Sequence, residues 1–385
     1  MAQVRLTVRL PAFIAIVVLG HLGIVGARMS TSLFALKLGA SAFTVGLLLA
    51  LFALLPLLLS VSAGRLVDRT GTLRPMLVSY AALALSIALP YAVPRLETLY
   101  FSSTLAGTAF MLLHVAVNSA TGAFGRPEDR PLNFSWLSLG FSTSGSLGPL
   151  VAGFAIDGLG HASAFGVLAL FPFAGLLLLW AQRSGLPRPE RTPHGGAGRR
   201  LLDLLRVPAL RHTFMASGAI AIGWDLYTFL LPLYGARIGL TAISIGTIMS
   251  TFSVATFAVR LVIPALVRRL RAWQVIAAAL AISGASYLLF PLVEHAAPLM
   301  AISFLLGIGL GCAQPFIMSQ LVNTAPPGRQ GEAVGVRILM LSASQTFIPV
   351  LSGAFSALLG MAPMFWMVSL LLLASGWAAR ARARE

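Results

Sequence analysis

The chain has 385 residues, 58% of them hydrophobic and only 10% charged, with a mean hydropathy of +0.89; lipid is the main solvent of such a chain, and a water-soluble fold of this size is excluded. The formal charge of +16 would suggest nucleic acid in a soluble protein, but here the basic residues fall in short loops between apolar runs, and no basic patch alternates with exposed aromatics as single-strand binding would need. The one cysteine, Cys312, lies within an apolar run, so neither a disulfide framework nor a cysteine metal site is available.

A helix needs about 20 mostly apolar residues to cross the hydrocarbon core. Six stretches meet that requirement at 11–36, 43–63, 75–94, 98–121, 134–156 and 163–181. Six more follow at 212–234, 242–264, 273–293, 298–322, 335–358 and 361–379. Arg5 and Arg9 precede the first run, which is too long for a signal-peptide core and has no small-residue cleavage site after it, so it reads as a retained span. With both termini inside, the outer loops carry only Lys37, Arg95 and Arg237, and Arg28, Arg260 and Arg337 fall in or at the ends of spans. The rest of the 27 basic residues then face the cytoplasm, as orientation in a membrane requires.

The longest polar insertion, from Gln182 to about Arg211, is rich in Pro, Gly and Arg and divides the spans six and six. Such a composition cannot bury a core, so it reads as a linker (182–211) between an amino-terminal bundle (1–181) and a carboxyl-terminal bundle (212–385). Arg199, Arg200, Arg206 and Arg211 around its tail read first as plain inside-facing charge; the alternative is a short helix from Leu201 to Leu205 on the membrane surface, with these arginines among anionic head groups.

An internal repeat crosses this linker. Lys37 to Gly46 reads K-L-G-A-S-A-F-T-V-G and Arg237 to Gly246 reads R-I-G-L-T-A-I-S-I-G, an offset of 200. At the same offset Gly148 to Gly153 corresponds to Ile348 to Gly353, and Gly107 to Gly307. Two similar six-span halves in one orientation imply parallel repeats related by a pseudo-twofold axis, with a substrate path near the bilayer midplane.

Between the second and third spans the run from Gly64 to Arg74 reads G-R-L-V-D-R-T-G-T-L-R. This G-x-L-x-D-R-x-G-x-x-R pattern resembles the signature loop of the major facilitator superfamily, and with the repeat the resemblance covers the whole chain. It implies an all-α membrane fold of twelve helices in two six-helix bundles that rock about a central site. Gly64 would permit close helix approach, Gly71 a tight turn, and Asp68 could accept hydrogen bonds from the start of a neighbouring helix. The resemblance implies that Asp68, with Arg69 and Arg74, locks a cytoplasmic gate against the eleventh span near Gly335 and Arg337; alternatively, Asp68 balances Arg65 and Arg69. At an offset of 196, Arg260, Pro264, Arg268 and Arg269 fall where Gly64, Asp68, Thr72 and Leu73 stand, so the second copy is expected to keep orientation alone.

The fifth span contains S-T-S-G-S-L-G-P-L-V-A-G, with Gly145, Gly148, Pro149 and Gly153. It resembles the family's exporter motif, with Ser144 and Ala152 in place of two glycines, and small residues there would also serve ordinary helix packing. The family's drug/proton exporters usually carry an arginine in the fourth span in an R-x-x-x-G setting; here that setting reads Ser103-Thr104-Leu105-Ala106-Gly107, so the charge relay attributed to that arginine cannot operate in its usual form.

Ionisable groups inside spans are expensive and normally face a cavity or one another. His21 and Arg28 are seven residues apart, hence on one stripe of the first span. The repeat offset puts Asp225 opposite Val25, near the height of Arg28, so Arg28 and Asp225 are expected to face one another. A substrate engaging Arg28 would then release Asp225 to take a proton, as antiport requires; a permanent ion pair pinning the outer gate is the alternative. His21 is a second proton candidate, or else a hydrogen-bonded helix-packing residue. His114, Asn118, Gln314 and Gln345 are candidate cavity residues, with Trp224, Tyr227 and Phe316 supplying aromatic surface; interhelical packing is the alternative for each. Asp157, Gly160 and His161 read as a turn, as do Glu294 and His295, with no transport role.

No metal-ligand spacing, nucleophile elbow or phosphate loop supports an enzyme or direct use of ATP, and no cofactor is expected. The expected function is proton-coupled export of a small organic amphipathic compound across the bacterial inner membrane, by a monomer whose partners are substrate, protons and the lipid bilayer. The alternatives are uptake or exchange of an organic anion bound by Arg28, and a non-transporting receptor or lipid-handling protein.

Overall fold

The computed structural model describes residues 10–126, 129–183, 208–326 and 330–384. Among them run twelve helices: α1 (Leu10–Lys37), α2 (Ala42–Thr70), α3 (Leu73–Ala92), α4 (Leu96–Gly122), α5 (Arg130–Leu159), α6 (His161–Ala181), α7 (Pro208–Arg237), α8 (Ala242–Arg269), α9 (Ala272–Leu289), α10 (Ala296–Thr324), α11 (Gln330–Leu359) and α12 (Met361–Arg384). All twelve are long and apolar enough to cross a membrane, and a helix is the form that satisfies every backbone group internally where water is absent. Most of the expected linker, with Arg199, Arg200, Arg206 and the stretch 201–205, lies outside the described residues.

The chain divides into two compact units. The first holds α1, α3 to α6, the body of α2 and the segment Thr241–Gly246 at the start of α8. The second holds α7, α9 to α12, the body of α8 and the segment Ser41–Ala50 at the start of α2. The division therefore does not follow the linker alone, because the first turns of α2 and α8 each group with the other half of the sequence. In the first unit α1 packs against α4, α5 and α6, and α3 against α4 and α6; in the second α7 packs against α10, α11 and α12, and α9 against α10 and α12. One packing scheme is thus used twice, shifted by six helices.

The repeat is written most clearly in backbone-to-backbone contacts. A Cβ on Gly107 would lie 2.1 Å from the Phe52 carbonyl oxygen, and one on Gly307 would lie 2.4 Å from that of Phe252. A Cβ on Gly246 would meet the Pro149 carbonyl oxygen at 2.3 Å, and one on Gly46 the Pro349 carbonyl oxygen at 2.2 Å. Glycine is required at such places because helices in lipid gain their packing from close approach. The turns repeat as well: α1 ends at Gly39 with φ +82° and α7 at Gly239 with φ +77°, left-handed positions that favour glycine at a helix terminus.

This register corrects the alignment of the signature loop at an offset of 196. The helix pairs begin at 42 and 242 and at 96 and 296, so an offset of 200 holds on both sides of the loop. It places Pro264 opposite Gly64, and Arg268 and Arg269 opposite Asp68 and Arg69. The second copy has therefore exchanged an acid for a base at the loop's central position.

Candidate functional site

In the first unit α1, α4 and α5 bring together two histidines and two phenylalanines. The His21 ring lies 4.8 Å from Phe141 and 5.4 Å from Phe110, and the His114 ring lies 5.5 Å from Phe141 and 5.8 Å from Phe110. Each imidazole therefore touches both phenyl rings. His21 Nδ1 lies 2.6 Å from Ser144 Oγ, and that hydroxyl donates to the Gly140 carbonyl at 2.8 Å. Both contacts are satisfied when Nδ1–H donates to the serine, which leaves Nε2 with a lone pair. His114 remains exposed despite its ring neighbours. Asn118, one turn on, donates from Nδ2 to the His114 carbonyl at 2.7 Å.

Arg28 sits seven residues after His21 on the unbroken α1, so the two do share a face. Its guanidinium lies 5.7 Å from the Phe52 ring centroid, within reach of a cation–π attraction.

In the second unit Asp225 is 7% exposed. Its Oδ2 accepts a hydrogen bond of 2.7 Å from Ser344 Oγ of α11. Trp224 packs edge-on against Phe252 at 4.9 Å and Tyr227 stacks on it at 4.3 Å. The Tyr227 hydroxyl donates to the Ile248 carbonyl at 3.3 Å, so this buried side chain is tied into the bundle. Phe316 is buried, whereas Gln345 is exposed. The aspartate's serine partner was not singled out from the sequence, although a signal existed: Ser344 lies 200 residues after Ser144, and each equivalent serine holds a titratable side chain of the first helix of its half.

Arg337 and Gln314 come together. Two turns inside α11 and 8% exposed, Arg337 donates from Nε to Ser217 Oγ at 2.9 Å and from Nη2 to Gln314 Oε1. Its guanidinium is thus engaged by α7 and α10 of its own unit. In the signature loop, Asp68, Arg69 and Arg74 are exposed. Gly71 takes φ +77° and its N–H caps α2 on the Val67 carbonyl at 2.9 Å, the tight turn the sequence suggested. Gly64 differs from expectation: a Cβ there would meet nothing within 4 Å, so no close approach explains it.

The exporter-like motif of α5 packs on two sides. Gly148 faces α1, where a Cβ would lie 3.0 Å from the Leu22 carbonyl oxygen and 3.1 Å from Gly26 N. Gly153 faces the start of α8, where a Cβ would lie 2.5 Å from the Ala242 carbonyl oxygen. Pro149 supplies the carbonyl against which Gly246 packs, and Gly145 is half-buried. Beyond them the Asp157 carboxylate accepts the Ala242 N–H at 3.1 Å and the Ile243 N–H at 2.8 Å, a helix cap inside the first unit. The sequence marks Asp157 only as a turn residue, because its partners lie 85 and 86 residues away.

Comparison with known proteins follows this architecture. Multidrug resistance protein 2 of Bacillus subtilis (strain 168) is 23% identical over 327 residues, spanning 81% of this chain and 80% of the relative. Multidrug resistance protein 1 of the same organism is 24% identical over 325 residues, with 82% of each chain covered. Among solved structures, that of a peptide transporter POT variant superposes with a TM-score of 0.82 at 19% identity, over 97% of this chain and 94% of that one. The nucleoside transporter NupG follows at 0.77 and 14% identity, over 97% and 99%. The profile of the Major Facilitator Superfamily matches residues 12–344 and 213–384. Twelve apolar helices, one packing scheme used twice and a profile match across both halves establish that this chain is a membrane transporter of the Major Facilitator Superfamily.

Proposed function

We propose that this transporter exports a small amphipathic organic compound in exchange for protons, by alternating access, in the bacterial inner membrane with both termini in the cytoplasm. The names of the two Bacillus relatives support export of drug-like compounds, and the inward bias of Lys and Arg supports the orientation.

The observation that carries the proton reading is the buried Asp225 carboxylate with Ser344 Oγ at 2.7 Å. A carboxylate accepts from the hydroxyl, and a carboxylic acid donates to it, so this pair stays hydrogen-bonded in both protonation states. A group that gains and loses a proton inside lipid needs such a partner, because an unsatisfied buried polar atom is costly in either state. In this scheme substrate engages the charge of Arg28, and Asp225 takes the proton that drives the return step.

Reconstitution in proteoliposomes tests the scheme. With Asp225→Asn, substrate efflux is expected to lose its dependence on an imposed pH gradient, and substrate-linked proton uptake is expected to vanish. Normal pH-driven transport by that variant would remove Asp225 from the mechanism.

A further inference from the structure

Arg337 stands apart from the groups used so far. Its burial inside a membrane-spanning helix brings a full positive charge into the second unit. Its hydrogen-bond partners are neutral: the Ser217 hydroxyl and the Gln314 side-chain oxygen. An intramembrane charge of this kind is expensive and ordinarily marks a function.

Packing alone does not demand it. At the repeat offset of 200, Arg337 corresponds to Leu137 and Ser217 to Val17, both buried and apolar in the first unit. The scaffold therefore accepts hydrocarbon at both positions. Beside the arginine, the second unit is apolar as well, with Leu210, Phe214, Leu321, Ala333 and Val336 forming one buried cluster.

The directions of the hydrogen bonds show what is missing. Ser217 accepts from Nε through its oxygen and has an O–H that can donate; Gln314 accepts through Oε1 and has two amide N–H groups that can donate. A guanidinium has five N–H donors, and these two bonds use two of them. The Nη1 nitrogen is not among the polar atoms sealed away without a partner, which among the described residues are the hydroxyls of Ser30, Ser79, Ser103, Ser303 and Ser356. Side chains from α7, α10 and α11 thus bring a guanidinium, a hydroxyl and an amide together, each with N–H or O–H groups beyond those these two bonds use.

We propose that Arg337, Gln314 and Ser217 form an oxyanion-binding site in the second unit, which takes a carboxylate, sulfonate or phosphate group. A planar guanidinium matches two oxygens of such a group, and the amide and hydroxyl complete the shell. The oxyanion is either the anionic end of the transported compound or a free inorganic anion. The first source rests on the transport reading above; binding itself does not.

Thermal unfolding of the purified full-length transporter in detergent, followed by tryptophan fluorescence, tests this. Sodium sulfate, sodium phosphate, benzoate and benzenesulfonate would be titrated against sodium chloride at matched ionic strength. Oxyanions are expected to raise the unfolding midpoint above chloride. Arg337→Gln is expected to weaken the response at least ~10-fold, and Arg337→Lys by less, since a point charge keeps the attraction without the fork. If Arg337→Gln does not fold, Ser217→Ala removes the hydroxyl donor and Gln314→Leu the amide donors, and each is expected to weaken it about 3- to 10-fold. A stronger response to the aromatic anions identifies the site with the transported compound, and an equal response to sulfate or phosphate identifies a free anion. The proposal is overturned by an equal response in wild type and all variants, or by no response above chloride. Failure of the Asp225→Asn experiment would leave these binding curves as they are, so the two failures are distinguishable.

Discussion

The two six-helix units use one serine position for two different purposes. In the first, Ser144 of α5 holds His21 of α1; in the second, Ser344 of α11 holds Asp225 of α7. Asp225 corresponds by register to Val25, one helical turn beyond His21, so the serine is constant while its partner has changed both type and height. The same split appears at the ends of these helices. Gly153 and Gly246 line the contact of α5 with the start of α8, and Gly353 and Gly46 line that of α11 with the start of α2. Thr241 Oγ1 caps Ser244 N–H at 3.2 Å, and Ser41 Oγ caps Thr44 N–H at 3.2 Å. Asp157 then adds two hydrogen bonds to α8, whereas its counterpart Ala357 adds none to α2. At these α2 and α8 contacts the close backbone approach and the Ser/Thr caps have stayed symmetric, while the titratable groups, Asp157 and the partners of Ser144 and Ser344, have diverged.

The largest test of that contrast strikes the symmetric part. Gly46→Val and Gly246→Val would each drive a side chain into a proline carbonyl oxygen, at 2.2 Å and 2.3 Å from Cβ. Both variants are expected to lose about 3 kcal/mol or more, read as reduced folded yield and a lowered unfolding midpoint in detergent. A large loss in one and none in the other would break the claimed equivalence of the two contacts.

The serines come next, and here the units should differ. Ser344→Ala removes a hydrogen bond to a buried carboxylate, worth about 2 kcal/mol, whereas Ser144→Ala removes one to an imidazole, worth about 1 kcal/mol. The first variant is expected to impair pH-driven transport in proteoliposomes more than the second. Equal impairment would assign His21 the same weight as Asp225.

The caps give the smallest effects. Asp157→Ala is expected to cost about 0.5 to 1 kcal/mol and to speed hydrogen exchange at the amides of residues 242 and 243, with those of 42 and 43 unchanged. The reverse substitution, Ala357→Asp, is expected to slow exchange at 42 and 43 by a few tenths of a kcal/mol. Unchanged exchange at 242 and 243 in Asp157→Ala would deny the carboxylate its capping role.

Hydropathy and spacing carry the fold. Each span is a local run of apolar residues, and an offset of 200 can be read from K-L-G-A-S and R-I-G-L-T without coordinates. The turn at Gly71 was legible for the same reason, since a helix terminus depends on its own few residues. The polar partners were not. Ser217 lies 120 residues from Arg337, Ser344 lies 119 from Asp225, and Ser144 lies 123 from His21. Whether helices bring such residues together depends on rotation and height, which no local pattern encodes. Gly64 shows the opposite error: a motif glycine suggests contact, yet the space around its α-carbon is open.

The uniform offset has a historical consequence. Positions 42, 46, 52, 107, 149 and 153 meet counterparts in 242, 246, 252, 307, 349 and 353, so any insertion or deletion fixed between 42 and 153 since the halves diverged has been balanced within that stretch or matched in its copy.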